Sequence, residues 1–381
     1  MRWETVPLGD VVSPVSSRAG ARELPVYSVT KHSGFVPSTD YFKKQVFSQD
    51  LSTYKVVEKG QFAYATIHLD EGSIGVAPEA CIISPMYTVF SVDQSRVDAG
   101  YLIRLMKSPT AVAQYSRLGR GTAERRKSIS LEALGRLGVH LPPLPEQRRI
   151  AAILDDADAL RSTWGETRES ARRAIGSRIS ALLSKSTDIK PLAQLLAEPM
   201  RNGISPSRGG RYEGEVLTLS AITRGAFDLR QRKSDLFAAP HAADKLAIEG
   251  LHLICRGNGN AELVGAMVAV TDQLDGVAFP DTMIGFRPSS EINSPTLVAA
   301  WRHPTVRDQL RRAARTTNGT YKVNQQSLSS IMVPVPRRED QEQIAALDAE
   351  RARLDSQLAR GLVSLDELFA SLQHRAFRGE L

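Results

Sequence analysis

Two stretches of the chain carry apolar residues at alternating steps of three and four, the spacing of a coiled-coil seam. The first stretch runs from Leu141 to Ser184, and Asp, Glu and Arg occupy its other faces. Pro145 suits a first helical turn because its missing N–H costs nothing there, and Glu146 faces the positive end of the helix dipole. The pattern predicts a helix of about 40 residues, roughly 60 Å long. The predicted seam positions are Ile150, Ile153, Ala157, Leu160, Trp164, Thr167, Ala171 and Ala174.

The second stretch repeats the first near the C-terminus. The segment Val333–Ile344 matches Val139–Ile150, with equivalent residues 194 positions apart. The compared pairs are Pro142 and Pro336, Gln147 and Gln341, and Ile150 and Ile344. An internal repeat on this scale predicts two copies of one structural unit. The predicted seam of the second helix is Ile344, Leu347, Arg351, Leu354, Leu358, Gly361, Leu365, Leu368 and Leu372.

The segment before each long helix alternates short apolar runs with Gly and Pro, which predicts mixed strands and helices. In the first segment the predicted strands are 25–30, 62–66, 81–92 and 138–141, and the predicted helices are 99–118, with a break at Pro109, and 131–137. In the second segment the predicted strands are 216–222, 251–255, 265–270 and 331–335, and the predicted helices are 295–316, interrupted at Pro304, and 326–330.

The predicted organisation is therefore a first domain over 1–142, a central long helix over 143–188, a second domain over 189–336 and a distal long helix over 337–381. Because two apolar stripes of similar length lie on separate helices, we expect the helices to pack on each other as an antiparallel coiled coil. The predicted fold class is α+β, with two tandem mixed α/β domains separated by the two long helices.

Charge and cysteine content narrow the functional classes. Lys and Arg number 49 against 42 Asp and Glu in 381 residues, a net charge of +7. This excess favours a polyanionic partner such as nucleic acid, and the alternative is an ordinary surface with a slight Arg bias. Only Cys81 and Cys255 are present, so neither a disulfide framework nor a thiolate metal site is expected. No apolar signal core or membrane-length run occurs, which favours a reducing cytoplasm.

Motifs of enzyme chemistry are weak in this sequence. A Gly-x-x-x-x-Gly-Lys-Ser/Thr phosphate loop is absent, and the pair Gly257 and Gly259 is better explained by a turn than by a dinucleotide site. The seven His show no metal-ligand spacing. Ser84-Pro85-Met86-Tyr87 is distantly similar to a base-holding motif of amino-methyltransferases, but Met86 replaces a proline and a strand bent at Pro85 explains it better. The sequence therefore predicts no catalytic residue and no metal site.

Basic clusters at matching places in the two halves are more informative. One cluster comprises Arg117, Arg120, Arg125, Arg126 and Lys127. The other comprises Arg311, Arg312, Arg315 and Lys322, which flank Asn318 and Tyr321. A weaker candidate group is Arg256, Asn258 and Asn260, for which turn chemistry is the alternative. A single cluster would indicate solvated surface, whereas two equivalent clusters favour phosphate contacts, with nearby polar side chains reading base edges.

The helical regions also resemble a known family. Residues 141–155, Leu-Pro-Pro-Leu-Pro-Glu-Gln-Arg-Arg-Ile-Ala-Ala-Ile-Leu-Asp, are similar to the central helical region of specificity subunits of type I restriction-modification systems. Residues 372–381 resemble the ending common in that family, and residues 253–265 and 323–336 resemble its target-recognition domains. The resemblance implies a non-enzymatic subunit in which each target-recognition domain reads one half of a split, asymmetric site on double-stranded DNA.

The same resemblance implies partner subunits. The helices would hold two DNA methyltransferase subunits, which would bring S-adenosylmethionine, and restriction subunits would add ATP- and Mg-dependent translocation and cleavage. The implied partner-binding residues are Pro145, Glu146, Gln147, Ile150, Gln341 and Ile344. Around Arg338 the second repeat departs from Pro-Leu-Pro-Glu-Gln, so the two junctions need not bind a partner identically. Two alternatives stay open: a divergent DNA methyltransferase, and a coiled-coil scaffold that binds no DNA.

Overall fold

The computed structural model describes residues 3–42, 47–118, 128–272, 275–317 and 319–381, with the backbone alone for 315–317. The chain forms two compact units. The first combines Met1–Gly165 with Arg360–Leu381, and the second is Glu166–Ala359. Each unit therefore contains one of the two predicted domains together with part of both long helices.

The strands of the first unit form two four-stranded sheets and one two-stranded sheet within the described residues. The strands are β1 (Glu4–Pro7), β2 (Val12–Val15), β3 (Val26–Thr30), β4 (Gly34–Pro37), β5 (Lys55–Val57), β6 (Phe62–Ala65), β7 (Ile74–Val76), β8 (Cys81–Ile83), β9 (Tyr87–Val92) and β10 (Gly138–Leu141). The sheet orders are β2-β9-β6-β7, β4-β3-β8-β5 and β1-β10. Phe62 and Phe90 stack in the core with ring centroids 5.1 Å apart, and both are fully buried.

The helices of the first unit end in the first long helix. They are α1 (Ser38–Tyr41), α2 (Ala99–Met106), α3 (Pro109–Leu118), α4 (Leu131–Gly135) and α5 (Leu144–Ser184). Asp98 caps α2 by accepting a hydrogen bond from the Tyr101 N–H at 2.9 Å. A helix break precedes Pro109, as predicted, because proline cannot donate to the preceding turn.

The second unit repeats this plan. Its strands are β11 (Ile189–Pro191), β12 (Arg201–Asn202), β13 (Tyr212–Leu217), β14 (Arg232–Phe237), β15 (His252–Cys255), β16 (Gly257–Asn258), β17 (Met267–Ala269), β18 (Met283–Phe286), β19 (Arg315–Thr317), β20 (Thr320–Lys322) and β21 (Met332–Pro334). Its helices are α6 (Ser220–Thr223), α7 (Ser294–Arg302), α8 (Pro304–Ala313), α9 (Gln325–Ser329) and α10 (Arg338–Ala376). The sheet orders are β12-β18-β15-β17, β13-β14, β16-β20-β19 and β11-β21.

Equivalent elements close both units in the same way. In the first, β1 pairs antiparallel with β10, which leads into α5; in the second, β11 pairs antiparallel with β21, which leads into α10. The α7–α8 pair is interrupted at Pro304 as α2–α3 is at Pro109, and Asn293 caps α7 in the place of Asp98. The predicted internal repeat is therefore a repeat of structure.

The two long helices run antiparallel within each unit, and the predicted fold class is confirmed. In the first unit, Arg149 Nη2 donates to the Leu381 carbonyl at 3.3 Å and Arg161 Nε donates to Asp366 Oδ1 at 2.7 Å. In the second, Arg168 Nε donates to Asp355 Oδ1 at 3.2 Å. A Cβ at Gly361 would approach the Trp164 ring to 2.4 Å, so that Trp164 fits because position 361 has no side chain.

The predicted seam is wrong in part. Leu160 and Leu368 are 45% and 50% exposed, and Thr167 and Ala174 are also exposed. The buried positions at the C-terminal end of α5 are instead Ile175, Ile179 and Leu183. A strict heptad pattern drifts against the 3.6 residues of a straight helical turn, so that the buried stripe moves to neighbouring positions.

Three strand and helix predictions also need correction. Residues 81–92 form two strands, because a turn closed by the Tyr87 N–H and the Ser84 carbonyl at 3.1 Å contains Pro85, which cannot donate to a ladder. The predicted strand 216–222 ends at Leu217 and gives way to α6, since short apolar runs suit either element. The last residues of the predicted helix 295–316 belong to β19. None of the described helices is both long and apolar enough to cross a membrane.

Candidate nucleic-acid interface

A small three-stranded sheet in the second unit joins two of the predicted DNA-binding groups. Strand β20 lies between β16 and β19, with Tyr321 opposite Asn258 and Lys322 opposite both Gly257 and Arg315. The group around Arg256 and the group around Tyr321, far apart in the sequence, therefore share one surface. The side chain of Arg315 and the whole of Asn318 lie outside the described residues.

The polar side chains of this sheet divide their hydrogen-bonding atoms between the turn and the surface. Arg256 is half-buried, and its Nη1 donates to the Asp281 carbonyl at 3.2 Å. Asn258 Oδ1 accepts from the Asn260 N–H at 2.8 Å, and Asn260 Oδ1 accepts from the Glu262 N–H at 3.0 Å. Both asparagine side-chain oxygens therefore stabilise the turn, as the alternative to DNA binding predicts. Their amide NH2 groups remain available to a ligand.

Lys322 is an exposed cation on this surface. It lies across Gly257, where an added Cβ would sit 3.2 Å from Lys322 Cγ, and Tyr321 beside it is half-buried against the main core of the unit. A lysine held on a sheet beside a half-buried aromatic ring is suited to a phosphate contact at the edge of a DNA groove.

If this surface meets DNA phosphates, replacing Lys322 with alanine is expected to weaken DNA binding across many sequences. Removing one phosphate contact should flatten the log–log salt dependence by about one unit. Lys185→Ala, an exposed lysine just after α5, is the matched control and should keep the parental slope. A Lys322 variant with the parental slope would remove this residue from the interface.

One backbone hydrogen bond occurs at equivalent places in the two units, and we call it the junction. The Val323 N–H donates to the Arg256 carbonyl at 2.9 Å, and the Ile129 N–H donates to the Thr66 carbonyl at the same distance. In both units a short 3-10 helix follows, Ala261–Leu263 in the second and Leu69–Glu71 in the first. Thr66 therefore stands where the second unit has Arg256, and His68 where it has Asn258.

Sequence reasoning missed these first-unit residues, although aligning the strands of the repeat at β6 and β15 would have found them. His68 is exposed, with Nδ1 3.3 Å from Glu71 Oε1. Thr66 Oγ1 donates to the Met86 carbonyl at 3.1 Å, which ties this segment to the turn between β8 and β9. Met86 itself is 65% exposed.

A cleft of about 280 Å³ lies between these two segments and is lined with aromatic rings. The lining includes Tyr27, Tyr54 and Tyr87. The Tyr27 hydroxyl donates to Glu79 at 2.6 Å, a hydrogen bond to a carboxylate that raises the pKa of Tyr27 to about 12 and keeps it protonated. Aromatic rings that carry hydroxyl groups, beside the half-buried Thr66 and the exposed His68, form a surface suited to base edges.

Of the predicted basic cluster of the first unit, Arg117 alone lies within the described residues. Arg117 is exposed in the last turn of α3. Arg120, Arg125, Arg126 and Lys127 lie outside the described residues. The prediction that this cluster meets phosphates stays a prediction.

The residues implied to bind a partner fall into two groups. Gln147, Ile150, Gln341 and Ile344 are buried inside their own units. Pro145 is exposed and Glu146 is partly exposed, with Glu146 Oε2 accepting from Arg149 Nε at 2.8 Å, a hydrogen bond that lowers the pKa of Glu146. Only these last two offer atoms to a partner in this conformation.

The buried glutamines hold the start of each long helix. Gln147 Oε1 accepts from the Asp98 N–H, while its Nε2 donates to the Arg96 and Pro142 carbonyls, each at 2.8 Å. Gln341 makes the same three bonds in the second unit, to the Asn293 N–H, the Glu291 carbonyl and the Pro336 carbonyl, at 2.9 to 3.0 Å. Each glutamine therefore joins the cap of α2 or α7 to the first turn of a long helix.

Comparison with known proteins agrees with this architecture. Residues 2–169 match the family described as type I restriction modification DNA specificity domain. The match covers 168 of the 381 residues, and over these residues the chain is similar to the type I restriction-modification specificity family. The family resemblance of the sequence is thereby confirmed. A search of curated proteins found no match.

Solved structures of type I systems share the fold over the whole length of the chain. A chain from a structure described as the basis of complex assembly and conformational transition of the type I R-M system is 18% identical, with a TM-score of 0.65, and covers 100% of this chain and 98% of that chain. The type I restriction-modification S subunit from M. genitalium is 13% identical, with a TM-score of 0.55, and covers 99% and 96%. At these identities the likeness is one of fold.

Across the described residues, no group of three or more His, Cys, Asp or Glu is arranged to hold a metal ion. Cys81 and Cys255 are both buried, and burial raises the pKa of the Cys81 thiol to about 12 and that of Cys255 to about 11. Neither thiol is therefore ionised near neutral pH.

Proposed function

We propose that this chain is the DNA sequence-recognition subunit of a type I restriction-modification complex and reads a bipartite, asymmetric site on double-stranded DNA. The observation that carries the proposal is the duplicated junction. The same backbone contact, at Thr66 and Ile129 and again at Arg256 and Val323, supports one candidate reading surface in each unit. The similarity of residues 2–169 to the DNA specificity domain supports DNA as the ligand.

Asymmetry follows from the side chains that the two surfaces carry. The first has Thr66 and His68 where the second has Arg256 and Asn258. An arginine pairs with a guanine edge through two hydrogen bonds and the Asn258 amide NH2 group is a donor, whereas threonine and histidine offer different donors and acceptors. Two surfaces of different chemistry read different half-sites.

The proposed complex supplies the chemistry through its other subunits. Two DNA methyltransferase subunits would bind S-adenosylmethionine and flip the target base, and a restriction subunit would use ATP and Mg. The specificity chain itself contributes recognition and docking and no catalytic residue. Because the proposed complex acts on cellular DNA, its proposed location is the cytoplasm.

A reconstitution assay tests this function. The chain and the methyltransferase subunit of the same system, mixed, are expected to transfer labelled methyl groups from S-adenosylmethionine to plasmid DNA, and either protein alone is expected to give background counts. Methyl transfer by the chain alone would revive the divergent methyltransferase. Salt-insensitive or absent DNA binding by the mixture would favour the scaffold.

A further inference from the structure

Two side-chain amides of the second unit are hydrogen-bonded to each other. Gln325 Nε2 donates to Asn202 Oδ1 at 3.2 Å, although the two residues are 123 positions apart in the sequence. Asn202 is exposed at the end of β12, and Gln325, the first residue of α9, is partly exposed. We call these two side chains the amide pair.

The backbone on each side of the amide pair is held in place. The Asn202 carbonyl accepts a hydrogen bond from Lys245 Nζ at 3.0 Å. Next to Gln325, the Asn324 side chain caps α9 by accepting from the Ser327 N–H at 2.8 Å. Side chains on a fixed backbone that already contact each other lose less conformational entropy when they bind a ligand.

The amide pair lies beside the candidate reading surface of the second unit. The Ile204 carbonyl, two residues after β12, accepts from the Asp281 N–H at 3.2 Å, and the Asp281 carbonyl accepts from Arg256 Nη1 at 3.2 Å. On the other side, Lys322 precedes the second amide by three residues. The amide pair therefore extends the surface that Arg256, Asn258 and Lys322 form.

The internal repeat indicates that the fold does not require the amide pair. Helix α4 of the first unit is the equivalent of α9, and its first residue, Leu131, lies 194 positions before Gln325. Leu131 packs against the main core of its unit. Because the same helix starts with an apolar residue in the first unit, the amide in the second unit calls for an explanation other than folding.

The atoms that the amide pair leaves free are a donor and an acceptor. A single hydrogen bond between two side-chain amides always leaves one carbonyl oxygen and N–H groups. Within the described part of the chain, nothing donates to Gln325 Oε1 or accepts from Asn202 Nδ2. In the major groove, adenine presents the acceptor N7 beside the donor N6, whereas guanine presents two acceptors. The free atoms therefore match an adenine edge.

We propose that the amide pair reads one adenine in the half-site that the second unit binds. Asn202 Nδ2 donates to adenine N7, and Gln325 Oε1 accepts from the N6 amino group. Guanine is disfavoured because its O6 would face the Gln325 oxygen and leave both acceptors without a donor. This inference rests on the proposed function, since only bound DNA brings an adenine edge to this surface.

The test is selection of DNA by the assembled complex from a pool randomised in the half-site that residues 1–140 do not determine. The parental complex should require adenine at one position. Asn202→Asp keeps an acceptor for Gln325 Nε2 but replaces the NH2 donor with a second acceptor. The preference for adenine at that position should fall by about tenfold or more, and the other positions should not change.

Two further variants make the test specific. Gln325→Leu introduces the residue that the first unit has at the equivalent place, so that the variant is compatible with the fold, and it should relax the same position. Gln326→Glu adds a negative charge at an exposed neighbour and is the matched control for Asn202→Asp. It should lower the affinity for all sequences alike and keep the adenine.

The outcomes distinguish this inference from the proposed function. Parental base preferences in both pair variants, or a parental half-site that requires no adenine, would overturn the reading role and leave the proposed function intact. Equal weakening at all positions would show that the amide pair only joins α9 to β12, and would also overturn it. A parental complex that selects no sequence at all would contradict the proposed function as well.

Discussion

Replacing Gln147 with leucine is expected to destabilise the first unit by about 3 kcal/mol or more. The substitution leaves the Asp98 N–H and the Arg96 and Pro142 carbonyls without the partner they have now. A buried polar group left unsatisfied costs about 1–3 kcal/mol. Of the three hydrogen bonds that are lost, the one to the Pro142 carbonyl is buried and the other two are partly buried. Leucine is close in volume, so that the loss reports hydrogen bonding rather than a cavity.

Two further variants make this prediction specific. Gln341→Leu should destabilise the second unit to a similar extent, since its three bonds are equivalent. Gln343→Leu changes an exposed glutamine in the same turn and should shift stability by no more than about 0.5 kcal/mol. The measurement is urea unfolding of the full chain, with hydrogen exchange used to monitor each unit separately. Equal midpoints for Gln147→Leu and Gln343→Leu would show that the buried bonds are not required.

Inserting one helical turn into both long helices is expected to widen the unread gap of the DNA site by about one or two base pairs. A turn adds about 5.4 Å, against an axial rise of about 3.4 Å per base pair. We propose insertion between Gly165 and Glu166 and between Ala359 and Arg360, where the chain passes from one compact unit to the other. Contacts internal to each unit are then retained.

A seven-residue insertion at the same places refines this experiment. Seven residues add about 10.5 Å and nearly complete two turns, so that the facing sides of the helices are kept and the gap should grow by about three base pairs. The bases on either side should not change. Loss of activity after the one-turn insertion but not after the seven-residue insertion would reflect rotation of the helix faces. An active variant with the parental gap would contradict the role of the helices as a spacer.

The long helices and their repeat were predictable from the sequence because their signals are local. Pro145, Glu146 and the apolar stripe act within a few turns, and the first long helix begins at Leu144. The breaks at Pro109 and Pro304 were predictable for the same reason, since proline acts on its own turn.

The residue roles and strand pairings that could not be predicted from the sequence depend on contacts between distant segments. Gln147 was expected to bind a partner because it lies in the family-like motif, yet its bonding partners are the carbonyl of Arg96 and the amide of Asp98, far earlier in the chain. The pairing of Asn258 with Tyr321 is likewise set by sheet register. Thr66 and His68 do not belong to a basic cluster in the sequence. They are identified by their structural equivalence to Arg256 and Asn258.

The central claim is that each unit reads one half-site independently, and exchange of residues 1–140 with the same region of a related chain tests it most directly. The graft must fit the C-terminal residues that pack on the first unit, where Phe377 meets Tyr101 with ring centroids 5.7 Å apart. Methylome sequencing of cells that carry the parental or the exchanged chain gives the modified motif. We expect a bipartite motif in which one half changes while the other half and the gap are kept. A motif altered in both halves, or unchanged in both, would contradict the account.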